Sequence, residues 1–211
     1  DFEIEGPGVG LAQPGSRIKL VPVYNGYAIL VAGPTITPGY YKRPDLNDGL
    51  LDEDGYYSMG DVVDWVEKGT PEKGLRFIGR LSDEFKLSSG TWVNAYHLKE
   101  MLRPEIGVFA VDYVVCGMNR DSVAVMAWPN IGHCQKIVGE EGLSAGELLV
   151  HPKIRAAIKY ALLRHNKLHS SGSFQISAFK FLTSPPDATK GELTDKGTVN
   201  AAAVITNRAD D

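Results

Sequence analysis

Asp61 and Arg80 are side chains whose type and setting in the sequence suit ligand chemistry. Asp61 follows Gly60 at the end of an aromatic-rich run, where a ligand can approach the backbone and a carboxylate can accept two hydrogen bonds from a vicinal diol. The ordinary alternative is an aspartate that caps a turn. Arg80 carries a permanent charge on a planar fork suited to phosphate oxygens. Its alternative is an exposed ion pair with Asp83 or Glu84, worth about 0 to 1 kcal/mol. His165 and His169 have the i,i+4 spacing that begins a metal site, but no third ligand is evident, and a polar helix face is the simpler expectation. His133-Cys134 could suggest a thiol nucleophile, yet no base can be assigned to it, so a loop cysteine is expected. The sequence has neither the Gly-x-x-x-x-Gly-Lys-Ser/Thr phosphate loop nor a Gly-x-Gly-x-x-Gly turn after a strand.

These residues must be positioned by a chain of 211 residues, 43% apolar and 23% charged, which is enough to build a globular core. Its 23 glycines and 12 prolines favour many short elements over a helical bundle. Lys and Arg number 22 against 26 Asp and Glu, a net charge of -4 without a basic run, which argues against nucleic-acid partners. The most apolar stretch, Tyr27 to Ala32, is far shorter than the roughly 18 residues of a membrane span, and no signal peptide opens the sequence. With Cys116 and Cys134 alone, no disulfide framework is expected and a cytoplasmic location fits best.

The first third reads as β-structure. Arg17 to Val23 and Tyr27 to Ala32 form a hairpin across Tyr24-Asn25-Gly26, with Asn-Gly expected to supply positive φ. Asp52-Glu53-Asp54-Gly55 turns the chain into a strand from Tyr56 to about Val66, and Leu75 to Ile78 is another. Gly79 to Asp83 breaks the pattern and is the expected domain boundary. Glu84 to Leu87 resumes it, and Ala95 to Leu102 is a short helix that Arg103-Pro104 should end. Val108 to Cys116 and Val123 to Trp128 are strands joined through Gly117 to Asp121. Pro152 opens the clearest helix, with Ile154, Ala157, Ile158, Ala161, Leu162 and Leu168 on its apolar side. Phe174 to Phe181 is a strand and Val199 to about Arg208 a terminal helix. A β-rich piece followed by a compact α+β domain is therefore expected.

Four ordered segments resemble the C-terminal half of the adenylate-forming superfamily, enzymes that activate carboxylates with ATP and often pass them to coenzyme A. They are Gly39-Tyr40-Tyr41-Lys42-Arg43-Pro44; Asp54-Gly55-Tyr56-Tyr57-Ser58-Met59-Gly60-Asp61; Gly79-Arg80 with Asp83, Lys86 and Gly90; and Gly191-Glu192-Leu193-Thr194-Asp195-Lys196-Gly197. The resemblance runs from about Val9 to the end. The wording from Asp83 to Val93, and that of Gly191 to Gly197, is most similar to feruloyl-CoA synthases. The Lys-Leu-x-x-Gly-x-x-Val spacing also occurs in long-chain acyl-CoA synthetases and carboxylate reductases.

The resemblance implies a β-rich subdomain of distorted-barrel type at residues 1–81 and a mobile α+β lid at residues 82–211. It implies that Asp61 binds the ribose of ATP or AMP and that Arg80 sits beside the nucleotide. Ser82 falls at the hinge position, where relatives often have Asp or Lys, with Asp83 next to it. Lys86 and Gly90 would line the channel for coenzyme A. Trp92 stands where some relatives carry a phosphate-binding arginine, and a core tryptophan is expected there instead. Lys196 is the implied catalytic lysine, two residues before the usual position, which Thr198 occupies. An ammonium between the substrate carboxylate and the α-phosphate would lower their repulsion.

The family's Ser/Thr/Gly-rich phosphate loop and its Thr-Glu motif for magnesium and ATP do not occur in the sequence, and Asp1 is not a methionine. The expectation is a C-terminal portion of a longer enzyme, with the acyl pocket and magnesium ligands in a preceding N-terminal domain. The partners expected are a small carboxylic acid of hydroxycinnamate kind, ATP and coenzyme A, with neither nucleic acid nor membrane. The alternatives are a carboxylate reductase or long-chain acyl-CoA synthetase, and a non-catalytic binding module that kept the fold.

Overall fold

The computed structural model describes residues 8–209. The outer ends of both expected domains, residues 1–7 and 210–211, lie outside them. The chain divides into two compact units, Asp1–Glu84 and Phe85–Asp211.

In the first unit, β1 (Gly8–Gly10), β2 (Arg17–Val23) and β3 (Gly26–Ala32) precede a single helical turn, α1 (Pro44–Asn47), and are followed by β4 (Tyr57–Trp65) and β5 (Leu75–Arg80). They form an open antiparallel sheet in the order β1-β5-β4-β3-β2. The expected barrel is not formed. The outer strands do not pair with each other: β1 is three residues long, and β2 carries Pro22, which cannot donate to a further strand. One face buries Ile29, Val63 and Leu75 beneath Ile18, Leu20, Val31 and Trp65. The hairpin of β2 and β3 forms as expected, but neither Asn25 nor Gly26 has positive φ. Gly26 is required for another reason, since a Cβ there would lie 2.6 Å from the Val63 carbonyl oxygen.

In the second unit, β6 (Glu84–Lys86, beginning at the division) and β7 (Trp92–Asn94) make a small hairpin before α2 (Ala95–Ile106). Helix α2 runs through Pro104 rather than stopping before it. The proline lies in the last turn, where its missing N–H costs one bond, and continuation buries Ile106 fully beside Leu98 and Leu102. Strands β8 (Ala110–Cys116) and β9 (Val123–Pro129) are antiparallel, and β10 (Ile176–Phe181) joins β9 in parallel, giving the order β10-β9-β8. The parallel crossover carries α3 (Ile131–Val138), α4 (Ala145–Val150) and α5 (Pro152–Leu168). The short terminal helix α6 (Ala201–Asn207) follows.

Strand alternation distributes the core over both faces of this sheet. Tyr113, Val115, Val125 and Ala127 pack with Leu98, Leu102, Ile154 and Ile158, while Val114 and Trp128 pack with Leu182 and Val204 of α6. On α5, the buried stripe Ile154, Ile158, Ala161 and His165 follows helical spacing. His165 is therefore fully buried rather than on a polar face, and Leu168 is exposed rather than in the core. Cys134 is buried on α3, not in a loop, and both cysteines are free thiols. Among the described residues, no helix is long and apolar enough to cross a membrane.

Candidate functional site

Asp61 owes its placement to an irregularity in β4. Opposite β3 the register slips between Ala28 and Leu30, leaving Met59 to Asp61 facing Ile29 alone, and Gly60 takes φ 73° within the bulge. A Cβ on Gly60 would meet nothing within 4 Å, so glycine serves the backbone angle rather than space. Bulges re-aim side chains, and this one delivers Asp61 directly opposite Arg80 of β5. Arg80 Nε stands 3.4 Å from Asp61 Oδ1. That oxygen is buried and accepts no hydrogen bond. The Arg80 side chain remains 62% exposed. The pair thus presents a desolvated acceptor beside an exposed cation, and the ion-pair partner of Arg80 is Asp61 rather than the alternative, Asp83 or Glu84.

After Arg80 the chain makes one 3₁₀ turn, Leu81–Asp83, closed by the Glu84 N–H donating to the Leu81 carbonyl. Ser82 is exposed and Asp83 half-buried on this turn. It is the only segment between β5 and β6.

Lys86 and Gly90 belong to the β6–β7 hairpin of the second unit. The turn closes with the Gly90 N–H on the Leu87 carbonyl at 2.9 Å and the Leu87 N–H on the Thr91 carbonyl at 2.9 Å. Gly90 has φ 81°, and open space surrounds its missing Cβ, so it serves the turn and no protein backbone crowds it. The turn is tied to the β8–β9 connection by Ser88 Oγ donating to Asp121 Oδ1 at 2.6 Å. Lys86 Nζ lies 4.7 Å from the Trp92 ring centroid. Trp92 is consequently half-buried under a cation rather than a core residue.

Lys196 sits exposed at the tip of a second, smaller hairpin. A single bridge joins Leu193 to Val199, and the Thr194 N–H donates to the Thr198 carbonyl at 2.8 Å. The Gly197 N–H returns to the Thr194 carbonyl at 2.8 Å, with Gly197 at φ 76°. Asp61 and Arg80 are thus brought together in the first unit, whereas Lys86 and Gly90 occupy one hairpin of the second and Lys196 another.

Glu192 and Arg208 escaped the sequence reading as a site. Glu192 is 1% exposed and Arg208 8% exposed, and they form a forked ion pair at 2.7 and 3.1 Å. The Arg208 guanidinium, helped by the Asp187 N–H, holds the Glu192 carboxyl down to about 2. The available signal was a glutamate and an arginine flanking a short apolar helix. No spacing rule links them. No cluster of three or more His, Cys, Asp or Glu fit to hold a metal occurs among the described residues.

No protein-family model matches the chain. It is 34% identical over 118 residues to long chain acyl-CoA synthetase 4 of Arabidopsis thaliana, covering 55% of this chain and 16% of that protein. To the peroxisomal long chain acyl-CoA synthetase 6 of the same plant it is 27% identical over 165 residues, 71% of this chain and 23% of the relative. The A-PCP didomain of carboxylic acid reductase from Segniliparus rugosus, solved in complex with AMP, superposes with a TM-score of 0.72 at 22% identity, over 95% of this chain and 28% of that one. Over 95% of this chain the fold is similar to part of the adenylation domains of two carboxylic acid reductases. In sequence the chain is similar to these long chain acyl-CoA synthetases and spans about a sixth to a quarter of their length.

Proposed function

We propose that this chain supplies the nucleotide-facing strand pair and the mobile lid of an ATP-dependent acid–thiol ligase. The observation that carries the reading is Asp61 Oδ1, buried without a hydrogen bond 3.4 Å from Arg80 Nε. Leaving a buried acceptor unpaired costs about 1 to 3 kcal/mol, and a ligand hydroxyl would recover it. The ribose of ATP offers such a hydroxyl, and Arg80 swings within reach of its phosphates.

In the reaction a carboxylate oxygen attacks the α-phosphorus and pyrophosphate leaves, giving the acyl-adenylate. The thiol of coenzyme A then loses its proton as sulfur attacks the acyl carbon, and AMP departs. Lys196, exposed on its hairpin, offsets the charge gathered in the first step. Lys86 and Gly90 line the path of the thiol in the second. The turn at Ser82 and Asp83 is the hinge between residues 1–81, part of a larger nucleotide-binding domain, and the lid at residues 82–211.

The wording from Asp83 to Val93 and around Lys196 favours an aromatic acid of the hydroxycinnamate kind. The similarity to long chain acyl-CoA synthetase 4 and the superposition on a carboxylic acid reductase favour a second reading, in which the acid is a fatty acid or the adenylate is destined for reduction. The test compares the 211-residue chain with the longer enzyme, offering ferulate and palmitate with ATP and coenzyme A. The chain alone should form no thioester, and the longer enzyme should form feruloyl thioester in preference. Turnover by the chain alone would overturn the proposed division of labour. Preference for palmitate, or adenylate formation without thioester, would select the second reading.

A further inference from the structure

The hairpin that carries Lys196 is too small to hold itself. It has one bridge and a four-residue turn, and Thr194 through Thr198 are all exposed. Isolated two-stranded hairpins are at best marginally stable in water. A lysine that must meet a developing charge cannot wander, since a misplacement of about 1 Å can cost roughly 10²-fold in rate. Something at the base of the turn must fix it.

Glu192 is at that base, four residues before Lys196. Its N–H donates to the Asp187 carbonyl at 3.0 Å, and its own carbonyl receives the Asn200 N–H at 2.9 Å, so its backbone ties both arms to their flanks. Its side chain is gripped by Arg208 and by the Asp187 N–H at 2.8 Å. Arg208 also donates to the Ser184 carbonyl at 3.1 Å and to the Pro185 carbonyl at 2.7 Å, and its guanidinium carbon lies 5.6 Å from the Trp128 ring centroid. The Trp128 indole N–H donates to the same Ser184 carbonyl at 2.9 Å. The end of β9 and the Ser184–Asp187 segment therefore converge on the Arg208 guanidinium at the end of α6, which in turn grips one carboxylate.

Global stability does not require that these two positions be charged. Val114, Trp128, Leu182 and Val204 already fasten α6 to the sheet, and replacing a buried ion pair by apolar residues is often neutral or stabilising. What the charged fork adds is a fixed direction for the chain that leaves it. We propose that Glu192 and Arg208 are positioning residues for Lys196, orienting its hairpin so that the ammonium is held in place for adenylate formation. This rests on the reading of Lys196 given above. Neither residue touches substrate; both act through the lysine.

Two measurements test it. In the 211-residue chain, Glu192→Gln should speed amide hydrogen exchange at Thr194 and Gly197 at least tenfold more than at Val114 and Val125. Arg208→Lys should produce the same pattern more weakly. Equal acceleration in hairpin and core would overturn the positioning role. In the longer enzyme, Glu192→Gln should lower the kcat of pyrophosphate exchange at least tenfold, leave KM for acid and ATP within twofold, and spare thiolysis of preformed acyl-adenylate. Added to Lys196→Ala, it should cause no further loss, and an additive loss would overturn the proposal. If Lys196→Ala alone leaves exchange at the wild-type rate, the catalytic reading of Lys196 fails, and unchanged exchange at Thr194 and Gly197 in Glu192→Gln would separately show that the pair does not order the hairpin.

Discussion

Asp61 and Arg80 stand opposite each other on β4 and β5, with 3.4 Å between Oδ1 and Nε and no hydrogen bond joining them. An ion pair so loosely made and so exposed on the arginine side contributes about 0 to 1 kcal/mol. Asp61→Asn should therefore shift the unfolding midpoint of the 211-residue chain very little. In the longer enzyme the same change should weaken ATP binding about tenfold to a hundredfold, as expected for a charge-assisted hydrogen bond of roughly 1.5 to 3 kcal/mol. Calorimetric titration alongside thermal unfolding checks both. Wild-type affinity with lowered stability would assign Asp61 a structural task instead.

Lys196 is exposed on a turn whose bonds are all made by backbone and threonine hydroxyls. Lys196→Ala should leave the melting curve of the chain unchanged. In the longer enzyme it should lower adenylate formation by roughly 10² to 10³, the loss typical of one preorganised electrostatic contact, and leave thiolysis unaffected. Pyrophosphate exchange separates the steps. If exchange persists, Lys190, on the turn before Gly191, is the next lysine to test.

The 3₁₀ turn at Leu81–Asp83 allows the hinge to be locked from one side and broken from the other. Leu81 is its first residue, and Arg80 before it is extended at φ -114° and ψ 150°, the geometry a following proline demands. Leu81→Pro should keep the turn and stabilise the chain by about 0.4 to 1 kcal/mol through the unfolded state. Ser82→Pro would push Leu81 out of its helical conformation and should lower stability. In the longer enzyme Leu81→Pro should preserve one half-reaction and suppress the other. Single-turnover adenylate formation beside coenzyme A-dependent release reads this out, and unchanged rates for both steps would move the hinge elsewhere.

Acid should unfold the second unit in two windows. His165 donates Nε2–H to the Phe174 carbonyl at 2.9 Å, leaving Nδ1 buried without a partner, and burial holds its pKa below the ordinary 6.5. The Phe174 carbonyl favours protonation, the His169 ring at the end of the same helix, 4.8 Å away between centroids, opposes it, and Glu105 of α2 favours it, but burial outweighs them. The unfolded chain takes up this proton more readily, so stability is full above about pH 6.5 and falls as the pH drops below it. Glu192, held down to about 2 from an ordinary 4.5, adds a second loss as the pH falls from 4.5 toward 2. Thermal midpoints across pH 2 to 8 should show both slopes. His165→Leu should flatten the upper one and Glu192→Gln the lower. A flat profile in the wild-type chain between pH 6.5 and 5 would contradict the burial argument.

By itself the sequence determined the elements whose period is local. Alternating β-branched residues specified β2, β3, β8 and β9, and Pro152 with the stripe Ile154, Ile158 and Ala161 specified α5. The motif order also placed Arg80, Lys86, Gly90 and Lys196 on strand ends and turns, whereas Asp61 stands inside β4 at the bulge that Gly60 makes, because glycine admits a backbone angle that other residues resist. Only the tertiary structure decided matters that depend on partners far along the chain. Whether the first sheet closed depended on its outer strands, and α2 passed Pro104 because burying Ile106 outweighs one lost bond in a last turn. Gly26 proved to be a matter of clearance from Val63, and Trp92 a platform for Lys86. The convergence of Glu192, Arg208 and Trp128 joins residues 16 and 80 positions apart from Arg208, a relation that no local pattern encodes because the forces that make it are burial and charge pairing in three dimensions.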